Sequence, residues 1–469
     1  MAGSIDVLKF TGMNDVKTSE GFYADAKARI AEPAAILNAD LDIRGRLIKR
    51  KGRTLYASLI GAHSLWAGVS CMLCADGSSL YRVINRTLTN IGPVSGPALP
   101  LSYAENGDLI YVSNQHWNGI YNHVTGTLGA WGIPLPPGPA VLAGYGALPA
   151  GTYNLCFTNR IGDELSGSGQ ITTITLSETG GIQILNRPAN AIVWCTDCNE
   201  GTMFRVGEAN YVQDILSVEP LPSLFCHPPL PMTNLCYAYG RMWGSVGKIV
   251  YYSQPYQLSW FRSTMNRFVF DSEVTLIARV PTGIFVGTEE KTFFLYGSEP
   301  TKMVQTFAGA GSVPGTLAYC NNLPELGDIL GTAEKGYVDV PVWRTTEGIV
   351  AGNASGKLYN LTKNKLMMDS APFGASLYRN VDGTFQFLTS SVRGVSGSSV
   401  GALNPDTQEL FEDGQVSRHE FTHQGQGSTA SFRDTATCDL NKYFARDLDE
   451  GVGLADVATC TVTRDGTEI

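Results

Sequence analysis

The chain has 469 residues, 43% hydrophobic and only 16% charged, with 34 Lys and Arg against 43 Asp and Glu for a formal net charge of −9. That balance argues against a protein whose main task is gripping nucleic-acid phosphates, which needs a basic face. With 52 Gly, 20 Tyr and 19 Phe, the composition points away from long amphipathic helices and toward short strands joined by tight turns.

The opening MAGSIDVLKFTGMND has no basic stretch leading into an apolar one, so no secretory signal is expected. No run approaches the roughly 18 to 20 apolar residues that a membrane-crossing helix needs, and a soluble chain without a membrane span is expected. Residues 1–35 read as an N-terminal arm, in which TSEGFYADAKARIAEPAAIL predicts a helix ending near Pro33. In LNADLDIRGRLIKRKG, Leu41 and Ile43 alternate with Asp40, Asp42 and Arg44, Gly45 turns the chain, and Leu47 begins a return strand. A β-hairpin therefore starts the main body.

From there a phrase recurs. VSCMLCADGSSLYRVINRTLTNIG (69–92) and LSYAENGDLIYVSNQHWNGIYNHVTGTLGAWG (101–132) each read as strand, Asp-Gly or Asn-Gly turn, aromatic strand and outer strand. Leu80–Tyr81 and Ile120–Tyr121 lie 40 residues apart, and a period near 40 with about four strands per unit predicts propeller blades. Residues 36–133 form the first part of that propeller.

The Pro/Gly-rich WGIPLPPGPAVLAGYGALPAG then breaks the rhythm, and 134–230 predicts an inserted immunoglobulin- or fibronectin-like β-sandwich. Blade phrases resume over 231–395, at 235–261, 273–297, 340–362 and 371–391. Residues 396–469 are left to supply a closing strand or a contact arm. The expected class is all-β, a β-propeller-like body with an inserted sandwich. Tyr81, Tyr121, Tyr251, Tyr296, Tyr359 and Tyr378 should then occupy comparable strand positions in successive blades.

Several motifs carry possible chemistry. His419-Glu420-Phe421-Thr422-His423 matches the HExxH pattern, which works on a helix because positions i and i+4 place two imidazoles around one Zn²⁺. Flanking Asp413-Gly414 and Gly425, with Val416, Phe421 and Thr422, predict a strand instead. On a strand those positions lie about 13 Å apart, too far to chelate one ion. Cys71–Cys74 and Cys195–Cys198 are separated by about 120 residues, far beyond the roughly 12 to 20 of a compact zinc module; buried, reduced thiols are expected. Asp447, Asp449 and Glu450 could supply a carboxylate pair but read as a solvated turn, and GAGSVPG (309–315) lacks the Lys-Ser/Thr of a phosphate-binding loop. No cofactor is expected, and no catalytic or metal-ligating residue is nominated.

The basic run RGRLIKRKGR holds Arg44, Arg46, Lys49, Arg50, Lys51 and Arg53. It is a candidate contact for an acidic partner surface, or equally a solvated hairpin whose charges blunt an edge strand. Trp117, Trp131 and Trp260 are the platforms on which a carbohydrate- or receptor-binding propeller would stack sugars. That reading is the alternative to a scaffold, with a zinc hydrolase using His419, Glu420 and His423 as a third.

The phrases FTGMND, ILNADLDIRGRLIKRKG, GAHSLWAG, DGSSLYRV and WRTTEGIVAGNASGKLYNLT resemble the tail-tube and hub proteins of short-tailed bacteriophages, the nozzle-type β-propeller proteins. The resemblance covers most of residues 10–395 outside the insertion. It implies a non-enzymatic virion tail protein, made and assembled in the host cytoplasm, that forms a homo-oligomeric and commonly six-membered ring. Such a ring sits beneath portal and adaptor, contacts other tail proteins, extends the DNA channel, and retains and then releases the genome without binding DNA specifically. The resemblance transfers no catalytic residue and does not extend to 400–469.

Overall fold

The computed structural model describes residues 61–320 apart from 97, 98 and 216, and residues 339–392 apart from 364, 367, 369, 370, 382 and 383. Outside these ranges it describes residues 46, 58 and 59 and a set of short strands. The described residues are almost entirely β, with a single 3-10 turn at Pro300–Lys302.

Among the described residues five antiparallel meanders follow one another. Blade 1 is Ala62–Ala67, Met72–Asp76, Ser79–Ile84 and Thr87–Pro93; blade 2 is Ser102–Asn106, Leu109–Ser113, Asn118–Asn122 and Thr127–Gly129. Blade 3 is Thr233–Ala238, Arg241–Val246 and Ile249–Gln254, its fourth position shared by Gln257–Phe261 and Arg267–Val269. Blade 4 is Val274–Val280, Gly283–Thr288, Lys291–Tyr296 and Val304–Ala310; blade 5 is Ala318–Cys320, Val340–Thr345, Gly348–Gly352 and Leu358–Asn360. A hairpin of Phe373–Val381 and Thr384–Val392 follows. Gly77 at φ +56° and Gly107 at φ +59° turn the chain tightly after Asp76 and Asn106, a conformation that suits the right-handed twist of the flanking strands.

Side chains alternate across each strand, so every blade has two apolar faces and covers them with its neighbours. Leu73 and Leu80 of blade 1 meet Ile110, Val112 and Tyr121 of blade 2. The other face of blade 2, at Tyr111, meets Met242 and Tyr251 of blade 3. Trp243 and Tyr252 then pack on Ile284 and Leu295, and Phe285 and Phe294 on Trp343 and Val350. Val342 and Ala351 close against Tyr378 and Phe387 of the hairpin. The first strands of blades 2 and 3, and of blades 3 and 4, run against each other, which makes the first strand the innermost. This is a β-propeller-like body.

Polar ties cross each seam, and most arise at irregularities of the innermost strand. Ser64, at φ +54° within the bulge between His63 and Trp66, accepts the Leu101 N–H through Oγ at 2.8 Å. Ser102 Oγ accepts the Leu235 N–H at 2.6 Å. Asn234, at φ +54° in the bulge between Thr233 and Cys236, donates from Nδ2 to the Val274 carbonyl at 3.0 Å. Thr275, in the bulge between Val274 and Leu276, donates to the Ser312 carbonyl at 3.0 Å ahead of blade 5. A bulged residue leaves the ladder, so its side chain is available to the neighbouring sheet. Gly287 is needed here because a Cβ would overlap Ser312 Oγ.

Between blades 2 and 3 stands a two-sheet sandwich. One sheet orders Val141–Leu148, Gly180–Ile184 and Tyr211–Val212; the other orders Glu164–Leu165, Gly151–Ile161, Ala191–Thr196 and Met203–Gly207, with Thr172–Leu176 also on Gly151–Ile161. Tyr153, Phe157 and Val193 of the second sheet pack on Leu148, Ile182 and Val212 of the first. Its first two strands, Val141–Leu148 and Gly151–Ile161, lie in different sheets, whereas the immunoglobulin order keeps the first two together. The unit is a sandwich with its own strand order. Its two ends meet the body where a Cβ at Gly132 would stand 2.9 Å from Pro228 and Asn118 Nδ2 donates to the Pro229 carbonyl at 3.0 Å, and its strand Glu164–Leu165 makes a further contact, the Leu165 carbonyl accepting from Trp260 Nε1 at 2.8 Å.

Two expectations are corrected. The helix foreseen before Pro33 is instead a strand pair, Phe22–Asp25 against Ile30–Pro33, with Lys9–Phe10 parallel to the latter; strand pairing overrides the helix propensity of the intervening alanines. The tyrosine series holds for half its members. Tyr81, Tyr121 and Tyr251 lie in third strands opposite Cys74, Ile110 and Gly244, whereas Tyr296 ends the third strand of blade 4 exposed, Tyr359 is in a fourth strand, and Tyr378 is in the hairpin. Leu295 and Val350 take the equivalent inward role in blades 4 and 5.

Candidate functional site

A cleft of about 370 Å³ opens along the seam between blades 1 and 2. The alternation that sends Leu80 into the blade 1–blade 2 core also sends Arg82 and Ile84 toward that seam. Arg82 pairs with Thr89 of the adjacent strand, and both line the cleft with Thr87 and Asn90. The turn at its rim is Asn85-Arg86, with φ of 48° and 67°, the two left-handed residues of a tight hairpin connection. Tyr121, 1% exposed, and Gly126 form the blade 2 wall.

Arg82 Nε is buried and accepted by nothing, and the guanidinium has no ion-pair partner among the described residues. A buried donor without an acceptor costs about 1–3 kcal/mol; Arg82 Nε shares that state with Trp343 Nε1, and it is as a lining residue of the cleft that Arg82 faces an acceptor from outside the fold. Glu105, whose charge together with that of Arg82 reaches the Cys71 thiol, does not answer it. Its carboxylate accepts the Val69 N–H at 2.7 Å, the Ser70 N–H at 3.0 Å and the Ser70 hydroxyl. No Asp or Glu lines the cleft.

The residues singled out by sequence do not converge on one site. Arg46 and Lys49 are exposed on the hairpin that pairs Leu41 with Leu47, while Arg44, Arg50, Lys51 and Arg53 lie outside the described residues, as do Asp447, Asp449 and Glu450. His419–His423 is a strand, paired antiparallel with Ala430–Asp434, so the one-turn spacing on which the zinc motif depends is absent. Trp131 is 2% exposed and donates through Nε1 to the Leu258 carbonyl at 3.1 Å. It belongs to the core and offers no platform; Trp117 is half-buried on the blade 1–blade 2 seam, and Trp260 is held by Leu165. The GAGSVPG segment is the passage from blade 4 to blade 5, with Ser312 bridged to Thr345.

The described cysteines are free thiols, and all but the half-buried Cys198 are buried. Burial pushes the Cys156, Cys195 and Cys320 thiols up to about 12, the opposite of what a nucleophile requires. Among the described residues no three His, Cys, Asp or Glu side chains converge to hold a metal, and no helix is long and apolar enough to cross a membrane. The residue that sequence reasoning missed is Arg82. It sits inside DGSSLYRVINRTLTNIG, and the available signal was a charged residue two positions after Leu80 on the same face of a strand.

No family model and no curated protein matches the chain. Among solved structures, BBS1N in complex with ARL6DN is similar at 12% identity over 71% of this chain and 90% of that one, with a TM-score of 0.28. Sqt1 of Saccharomyces cerevisiae is similar at 10% identity over 64% and 94%, with a TM-score of 0.17. At these scores the likeness carries no argument, and the architecture rests on the sheets themselves.

Proposed function

We propose that the chain is a non-enzymatic structural protein of a short-tailed phage tail, a nozzle- or hub-type subunit that assembles as a ring, extends the DNA channel and helps retain and then release the genome. The observation that carries a scaffold reading is the commitment of polar side chains to blade-to-blade ties, through Ser64, Ser102, Asn234 and Thr275. Such ties stiffen a body that acts by shape. The resemblance of the blade phrases to nozzle proteins supplies the location in the virion tail and the partners, namely further copies of the chain, the portal and adaptor, and passing DNA. A net charge of −9 suits a conduit, because each basic contact to phosphate adds salt-sensitive grip. Arg46 and Lys49 are exposed, the basic side chains that an acidic neighbour in the assembly would meet.

The test is native mass measurement with negative-stain imaging of the purified protein, alone and with portal and adaptor. A hollow multimeric ring that docks beneath the portal is expected. A monomer that stays monomeric with those partners present, or tight duplex-DNA binding at physiological salt, sinks the reading.

A further inference from the structure

We infer that the cleft between blades 1 and 2 binds a pyranose unit bearing a carboxylate, a uronic-acid-type sugar, with Arg82 as its anion-recognising residue. The volume, about 370 Å³, falls within the roughly 300–1,000 Å³ range of small-molecule sites. A guanidinium presents a planar fork of donors that matches a carboxylate, and that of Arg82 lines the cleft with no ion-pair partner among the described residues and with one of several buried donors, its Nε, unanswered.

Around it the wall is neutral and rich in hydrogen-bonding groups. Asn85 and Asn90 contribute amides and Thr89 a hydroxyl, each able both to donate and to accept, as the hydroxyls of a sugar require. Tyr121, 1% exposed, closes the inner wall of the cleft as part of the blade 1–blade 2 core and offers no ring face for stacking. A single cation without lysines favours one carboxylate over a phosphate, and the absence of any lining carboxylate disfavours a divalent cation. The cleft lies between two adjacent blades, so one chain supplies every residue that lines it.

The experiment is titration of the full-length protein with glucuronate, glucose, acetate and inorganic phosphate, read by ligand-observed NMR and calorimetry, for the wild type, Arg82→Gln, Arg82→Lys and Thr89→Val. Glucuronate is expected to bind. Arg82→Gln should weaken it about 10- to 100-fold, the loss of a charge-assisted contact, and Arg82→Lys should fall between the two. Glucose should bind at least about tenfold more weakly than glucuronate, since it lacks the carboxylate. Equal affinities for glucose and glucuronate, stronger binding of phosphate than of glucuronate, unchanged binding in Arg82→Gln, or no binding at all each overturns the assignment. Unfolding midpoints of the three variants, with Thr89→Val as the uncharged control, separate loss of the site from loss of the fold.

Discussion

Asn234 of blade 3 donates through Nδ2 both to Ser245 Oγ within its own blade, at 2.9 Å, and to the Val274 carbonyl of blade 4, at 3.0 Å. One amide thus fixes a bulge and a seam together. Its φ of +54° is a conformation that Asn tolerates and Ala does not. Replacing Asn234 by Gly keeps the backbone and removes only the hydrogen bonds, for an expected loss of about 1 kcal/mol. Replacing it by Ala adds the left-handed penalty, for a total of about 2–3 kcal/mol. Urea unfolding of the two variants checks this, and equal losses would remove the argument.

Two buried tryptophans offer a matched comparison. Trp243 and Trp343 are both 0% exposed, but Trp243 Nε1 donates to the Ala238 carbonyl at 3.1 Å while Trp343 Nε1 has no acceptor. Substitution by Phe removes similar apolar area from each. At Trp243 it also orphans a carbonyl, whereas at Trp343 it relieves a buried unpaired donor. Trp243→Phe should therefore be the more destabilising by about 1–3 kcal/mol, and denaturation midpoints in the reverse order would refute the assignment of partners.

Stability should decline on the alkaline side. The folded-state thiols of Cys156, Cys195 and Cys320 are raised by burial to about 12, from an ordinary value of 9.0. Between those values the unfolded chain has lost protons that the native state still holds, so the stabilisation is complete below pH 9, declines above it and is lost as pH approaches 12. Burial moves Tyr153 up to about 12 from 10.0, with the same sign. Urea midpoints across pH 8 to 11 should fall, and Cys156→Val should flatten the slope. A slope unaltered in that variant counts against a buried Cys156 thiol.

The sandwich is pinned to blade 3 through His227. Its Nε2 accepts the Ser263 N–H at 3.0 Å while Nδ1 lies 2.8 Å from the Pro228 carbonyl, so the neutral ring with the proton on Nδ1 satisfies both contacts. His227→Phe keeps ring volume and removes both bonds. Hydrogen exchange at the Ser263 amide should accelerate about tenfold or more, equivalent to a local loss of about 1.4 kcal/mol. Unchanged protection there would mean the contact is incidental.

What the sequence made legible follows from the range of the interactions involved. The hairpin pairing Leu41 with Leu47 and the turns at Asp76-Gly77 and Asn106-Gly107 are local, and residue type alone signals them. The common position of Tyr81, Tyr121 and Tyr251 was readable because the turn into the third strand is short, two residues in blades 1 and 3 and four in blade 2. It failed for Tyr359 because the Leu-Tyr pair there opens the fourth strand, Leu358–Asn360, while Val350 fills the inward third-strand position. Strands in place of the expected helix before Pro33 reflect pairing of Phe22 with Pro33 and of Lys9 with Ile30, which no window of propensity contains. The cleft was hidden for a related reason: Arg82 and Tyr121 are 39 residues apart in sequence, and only the stacking of two blades brings them to one wall.

The near-contact of Gly132 with Pro228 has a consequence for how this molecule could have arisen and how it could be rebuilt. The polypeptide leaves blade 2 and returns to blade 3 through a single doorway, so whatever occupies the excursion must match the separation of its two ends and answer Trp260, which now donates to the Leu165 carbonyl. The sandwich can be exchanged for a shorter or unrelated module without re-threading the blades. A lineage of such chains would diversify there first, presenting new outer modules on an unchanged rotor.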